Sequence, residues 1–286
     1  MVAAARTPEG ARLHAERFGA GPPMLLLNGL FCSTHHFAAW VPHFAPRYRV
    51  VQWDYRGHGA SDDAPTPSTA SIGQFTDDAL RVLELAGPER AILVGHSMGV
   101  RVALEMCARA PERVAALILL CGSVWDSLGP IFSRYPLARA LDGISRVADR
   151  LGPLAWKIKA AVVASGLIPA VGYLIGSLSR ELTPPSALSA LLDNVRRLDV
   201  RLATAIFRSY LAHSGRPLLA GIRAPTLVVC GEIDQLAPPA HGGRVLARLA
   251  DGELHIARGC THLAPIERPD EVHAVVDDFL RRRCAG

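Results

Sequence analysis

Ala91-Ile92-Leu93-Val94-Gly95-His96-Ser97-Met98-Gly99 is the stretch on which the reading of this chain turns. Its first four residues form a short apolar run with no polar alternation, the pattern of a strand covered on both faces. Ala103, Leu104 and Cys107 follow at helical spacing, so the intervening residues must turn a strand into a helix. A turn that tight leaves no room for bulk two residues before or two residues after its centre, which accounts for Gly95 and Gly99. Ser97 is thereby lifted clear of the backbone and set at a helix N-terminus, whose dipole favours developing negative charge.

Working outward, Arg12 to Phe18 alternates in character, Met24 to Leu27 is fully apolar, and Tyr48 to Trp53 is rich in Val and aromatics. Ala115 to Leu120 is another continuous apolar run. Between these runs lie helical patterns; Ile72, Phe75, Ala79, Val82, Leu83 and Ala86 share one face. After Gly122-Ser123 the rhythm changes, and residues 124–215 hold Ala, Leu and Ile at helical spacing with no convincing strand. Strands return at Pro225 to Cys230 and at Glu253 to Ala257, each followed by a helical pattern. Alternation of this kind predicts an α/β fold with a mostly parallel, doubly wound sheet. Residues 1–123 and 216–286 would form its core, and 124–215 a helical cap inserted after the sixth strand.

Composition narrows the class. Half of the 286 residues are hydrophobic and 20% are charged, which excludes a disordered chain. The formal charge of +5 comes from 31 basic and 26 acidic residues, and the Arg is spread along the chain rather than gathered into a nucleic-acid patch. None of the six cysteines makes a CxxC pair, so zinc ribbons and thioredoxin motifs are excluded; Cys121 and Cys230 suit small buried positions in a reducing compartment. The N-terminal residues lack a signal-peptide apolar stretch, which predicts a cytoplasmic protein. Ala160 to Ser179 is uncharged but broken by Gly166, Pro169, Gly172 and Gly176, and reads as a buried or pocket-lining helix pair ahead of a membrane-docking one.

A serine hydroxyl becomes a competent nucleophile only beside a base, itself oriented by a third group. Glu232-Ile233-Asp234 follows the strand ending at Gly231, and Gly259-Cys260-Thr261-His262 follows the last strand. Asp234 and His262 therefore join Ser97 at strand C-termini, where open α/β sheets gather their sites, in the order Ser, Asp, His. Asp126 is the alternative acid. An oxyanion formed at Ser97 needs two N–H donors: the one after the serine, from Met98, and one from the Asn28-Gly29-Leu30 turn, assigned to Leu30.

These residues resemble the α/β-hydrolase superfamily, in its cap-containing, serine esterase and lipase-like branch. The resemblance runs through Asn28-Gly29-Leu30, Asp54-Tyr55-Arg56-Gly57-His58-Gly59-Ala60-Ser61, the Gly-His-Ser-Met-Gly elbow, Gly231-x-x-Asp234 and His262. It implies a structural role for the D-x-R-G-x-G-x-S stretch. Two departures stand out. Asn28 replaces the usual His before Gly29, a feature similar to the enol-lactone hydrolases, and Val100-Arg101 stands where a small residue often follows the elbow, a change expected to alter packing only. The serine argues against the dehalogenase and epoxide hydrolase members, which use Asp.

The expected protein is a carboxylesterase-type serine hydrolase of small to medium lipophilic esters, working through an acyl-enzyme on Ser97. A lactonase, thioesterase, carbon–carbon bond hydrolase or cofactor-free haloperoxidase or perhydrolase would share the same three residues. A non-enzymatic ligand receptor fits them less well. No metal or cofactor is expected, since H-E-x-x-H, Walker and G-x-G-x-x-G patterns are missing. The partner is a small-molecule ester; nucleic acid is not expected, membrane contact through the cap is not favoured, and nothing specifies an oligomeric state.

Overall fold

The computed structural model describes residues 2–64, 66, 69–125, 143, 147, 150–151 and 153–284. Its centre is an eight-stranded sheet in the order β1-β2-β4-β3-β5-β6-β7-β8. The strands are β1 (Val2–Arg6), β2 (Arg12–Phe18), β3 (Pro23–Leu27), β4 (Arg49–Trp53), β5 (Ala91–His96), β6 (Val114–Leu120), β7 (Thr226–Gly231) and β8 (Gly252–Ala257). β1 and β2 pair antiparallel at one edge; every pairing from β4 to β8 is parallel. The α/β, doubly wound architecture is as expected. The sequence reading lacked β1, whose Val-Ala-Ala-Ala-Arg carries weak strand propensity and is held by its pairing with β2.

All residues of β3, β5 and β7 are buried, because helices cover both faces. On one face α2 (Ile72–Leu83) and α3 (Met98–Arg109) pack over Leu25, Leu27, Leu93 and Leu117. The Ser71 hydroxyl starts α2 by accepting from the Gln74 N–H at 3.2 Å, and the helix then buries Ile72, Phe75, Ala79 and Val82 as its 3.6-residue period requires. Trp40 and Phe44, in the short helix α1 (Trp40–Phe44), join Val276 and Phe279 from the C-terminal helix over Met24, Val94 and Ile118 on the other face.

Between β6 and β7 the described residues form α4 (Pro153–Ala164), α5 (Leu167–Leu174), α6 (Pro185–Arg197) and α7 (Val200–Ala212), so the helical insertion does follow the sixth strand. No single helix among the described residues is long and apolar enough to cross a membrane; α4 and α5 pass that test only together, bent by 61°.

The D-x-R-G-x-G-x-S stretch turns out to be a set of internal ties. Buried Asp54 accepts from the Thr34 N–H at 2.8 Å and the Ala60 N–H at 2.9 Å, so it fixes both its own loop and the loop that follows Gly29. Arg56, fully buried, grips Asp78 of α2 through two bonds of 2.7 Å. Burial pushes the Asp54 and Asp78 carboxyls up, against the pull of these donors.

Candidate active site

The strand registers place Gly95, Gly231 and Ala257 at the same edge of the sheet, and the three candidate side chains issue from the loops just beyond them. Ser97 caps α3 with φ 54° and ψ −113°, a backbone shape that side chains rarely adopt. A Cβ on Gly99 would lie 2.1 Å from the Leu27 carbonyl oxygen, and one on Gly95 would lie 2.5 Å from that of Gly99. Only glycine at both positions allows the helix to start this close to β3. The Ser97 N–H, bonded to the Leu120 carbonyl at 3.0 Å, anchors the turn to β6.

Asp234 is buried and its two oxygens are divided between two tasks. Oδ1 accepts from the Leu236 and Ala237 N–H groups at 2.8 and 2.9 Å, and Oδ2 lies 2.8 Å from Nδ1 of His262. A carboxylate oxygen only accepts, so Nδ1 carries the ring hydrogen and Nε2 is left with its lone pair. That Nε2 lies 2.8 Å from Ser97 Oγ. The three residues thus form one hydrogen-bonded file, Asp234 to His262 to Ser97. Asp126 lies outside the described residues.

Leu30 and Met98 both border the cavity that opens on Ser97. Met98 begins α3, and the turn from Gly29 to Cys32 is closed by the Cys32 N–H to the Gly29 carbonyl at 3.2 Å, with Phe31 at φ 64°. That closure leaves the Leu30 N–H outside the turn's own hydrogen bond. Asn28 sits behind this loop and donates from Nδ2 to the Trp53 carbonyl at 2.8 Å, tying β3 to β4.

Supporting residues that sequence reasoning did not single out surround this file. His96 donates from Nε2 to the His262 carbonyl at 2.9 Å and stacks on His36 at 4.2 Å. Burial, then the neighbouring His36 and His262, hold His96 well below the ordinary histidine range; His36 is held at about 3, by burial and then by His262. Both are neutral props beneath the site. With Cys32, whose thiol burial pushes up to about 12, they bring potential metal ligands within 4.8 Å of one another. The two imidazoles lie 28° from parallel, so their in-plane lone pairs run alongside each other instead of converging on an ion. Glu267 accepts from the Thr261 N–H at 2.7 Å and from the Thr183 hydroxyl at 2.8 Å, joining the His262 loop to the insertion.

Arg101 has more to do than alter packing. It is fully buried, stacks 3.7 Å over the Tyr210 ring, and donates to the carbonyls of Ser123, Trp125, Tyr210 and His213. The chain leaves β6 through the first two carbonyls and comes back towards β7 through the last two. One guanidinium on α3 therefore straps both roots of the insertion to the helix that carries Ser97.

The cavity measures about 220 Å³. Leu178, Leu191, Phe207, Leu236 and Leu263 stand on its apolar wall, with Ser123 and Tyr210 also lining it; no Lys, Arg, Asp or Glu is among its described lining residues. The apolar stretch from Ala160 to Ser179 reaches it through Ile175, Ser177 and Leu178 at its C-terminal end. Val163 is buried and Ile175 lines the cavity, but Leu167, Val171 and Leu174 are 53%, 43% and 79% exposed.

The family model for the alpha/beta hydrolase fold matches residues 22–148. RutD of Azorhizobium caulinodans, whose name marks it as a candidate carbamate hydrolase, is 29% identical over 228 residues, 80% of this chain and 79% of its own. The 2-hydroxy-6-oxononadienedioate/2-hydroxy-6-oxononatrienedioate hydrolase 2 of Pseudomonas putida is 29% identical over 290 residues, 97% of this chain and 95% of its own. Among solved structures, the enol-lactonase of Burkholderia xenovorans LB400 is similar with a TM-score of 0.77 and 25% identity, over 98% of this chain and 99% of its own. Sheet order, family model and near full-length structural likeness agree: the chain has the α/β-hydrolase fold and is similar to members of that superfamily.

Proposed function

We propose that this protein is a serine carboxylesterase for small to medium lipophilic esters, with residues 124–215 serving as the cap that walls its substrate pocket. The observation that carries the reading is the file of two 2.8 Å hydrogen bonds from Asp234 through His262 to Ser97, opening on an uncharged, mostly apolar cavity. In this mechanism His262 Nε2 takes the hydroxyl proton as Ser97 Oγ attacks the ester carbonyl. Asp234 holds the imidazole in the tautomer that can accept it and stabilises the imidazolium that results. Negative charge on the former carbonyl oxygen is met by the Leu30 and Met98 N–H groups, the latter backed by the α3 dipole. His262 returns the proton to the departing alcohol, and water repeats the sequence to release the acid.

A lactone is a cyclic ester, and one observation favours that variant: Asn28 precedes Gly29, in a chain similar to an enol-lactonase. The dicarboxylate named for the Pseudomonas putida relative finds less support, because the described lining residues offer a carboxylate no cationic partner. Specificity constants for p-nitrophenyl esters from acetate to dodecanoate test the reading, with Ser97→Ala as control. Each buried methylene is worth up to about 0.8 kcal/mol, so kcat/KM should climb up to roughly four-fold per carbon until the cavity is full. Ser97→Ala should lose about 10⁴-fold or more in kcat and its labelling by a fluorophosphonate. Persistence of either in the mutant rejects Ser97 as the nucleophile.

A further inference from the structure

Two helices of the insertion turn apolar stripes outward. On α4, Leu154, Ile158 and Val162 recur every fourth residue and are 50%, 48% and 37% exposed. On α5, Leu167, Val171 and Leu174 follow at intervals of four and three, the spacing of one helical face. Large apolar side chains gathered this way on an outer face mark a surface that meets something apolar.

Charge identifies what that is. Residues 124–215 contain 11 basic and six acidic residues, and the rest of the chain contains 20 of each, so the insertion accounts for the whole formal charge of +5. Exposed Lys157 lies on α4 beside the stripe, whereas Lys159 turns its ammonium onto the Arg196 and Leu198 carbonyls, and Arg180 sits 4.5 Å over the Tyr173 ring of α5. A second copy of this chain meeting the same face would bring the same positive charge against it, which opposes a symmetric dimer. Anionic lipid supplies both halves of the complement: acyl chains for Leu and Val, and negative headgroups for Lys157 and the arginines.

We propose that α4 and α5 form a docking surface for anionic membranes, on which the protein lies with this face down. The face adjoins the pocket along the chain: exposed Leu174 is followed directly by Ile175, which lines the cavity above Ser97.

Flotation of the full chain with phosphatidylcholine vesicles containing about 30 mol% phosphatidylglycerol tests the proposal. The chain should float with these vesicles and at least about ten-fold less with pure phosphatidylcholine, and added salt should weaken binding. Leu167→Glu combined with Leu174→Glu should cut flotation about ten-fold while leaving the circular dichroism spectrum unchanged. Ser97→Ala should float like the parent, which keeps this result separate from the esterase reading. If the parent does not float, or the double variant floats equally, the proposal falls. A dimer that the double variant dissociates, in a chain that ignores vesicles, would assign the face to a second copy and overturn it as well.

Discussion

Ser97 holds a backbone conformation that costs about 1–3 kcal/mol, kept in place by the close packing at Gly95 and Gly99 and by its N–H bond to Leu120. That local strain is what projects Oγ towards His262. At this scale the candidate site was legible, because each main residue is announced by its neighbours: glycines frame the serine, and Asp234 and His262 each follow a strand. His96, Arg101 and Glu267 gave no such notice. Their partners lie 166, 22 to 112, and 6 to 88 positions away, and no local pattern encodes a hydrogen bond to a distant carbonyl or loop. Asp234→Asn should lower kcat by about 10⁴-fold, because an amide in place of Oδ2 favours the wrong imidazole tautomer. Steady-state kinetics check this, and a loss below about ten-fold would move the acid role to another carboxylate.

The elements divide in the same way. β3, β5 and β7 could be read directly, since strands buried on both faces carry unbroken apolar runs that match little else. The direction in which α4 and α5 face could not, because their sequence is apolar on most sides and says nothing about which side meets the core. β1 escaped for the opposite reason, as an edge strand of small residues whose order comes from its partner. Arg101 makes the element scale testable. Arg101→Met removes the donors from the Ser123 and His213 carbonyls while keeping much of the side-chain volume. Buried acceptors left without donors cost about 1–3 kcal/mol each, so the variant should lose roughly 3 kcal/mol or more by urea unfolding. Because Ser123 and Tyr210 also border the cavity, KM should rise by a larger factor than kcat falls. Unchanged stability would show that the strap is dispensable.

Across the whole molecule, histidine burial sets the response to acid. His36 is held at about 3 and His58 at about 4, with His96 well below the ordinary value of 6.5, each chiefly because burial penalises the charged ring. The unfolded chain takes up these protons near pH 6.5, but the folded chain does so only in much stronger acid. Their contribution is therefore complete above about pH 6.5 and is lost as pH falls towards the folded values, by up to about 1.4 kcal/mol per pH unit for each histidine. Asp54 and Asp78, raised by burial, oppose this trend only on approach to the carboxylate range. Urea midpoints should accordingly drop steeply between about pH 6.5 and 5, and His58→Gln should remove one proton's share of the slope. A flat profile in that window would contradict neutral burial.

His262 follows β8, the edge strand whose one neighbour in the sheet is β7, and it meets Ser97 across a separation of 165 residues. Contacts that close so long a loop are slow to form. During refolding, Trp40 and Trp53, buried against the middle of the sheet, should regain native fluorescence while β8 is still unpaired. On the proposed mechanism, hydrolysis of a chromogenic ester resumes only once that last strand brings its histidine into place. The lag between the two signals after dilution from urea therefore times the arrival of the final strand.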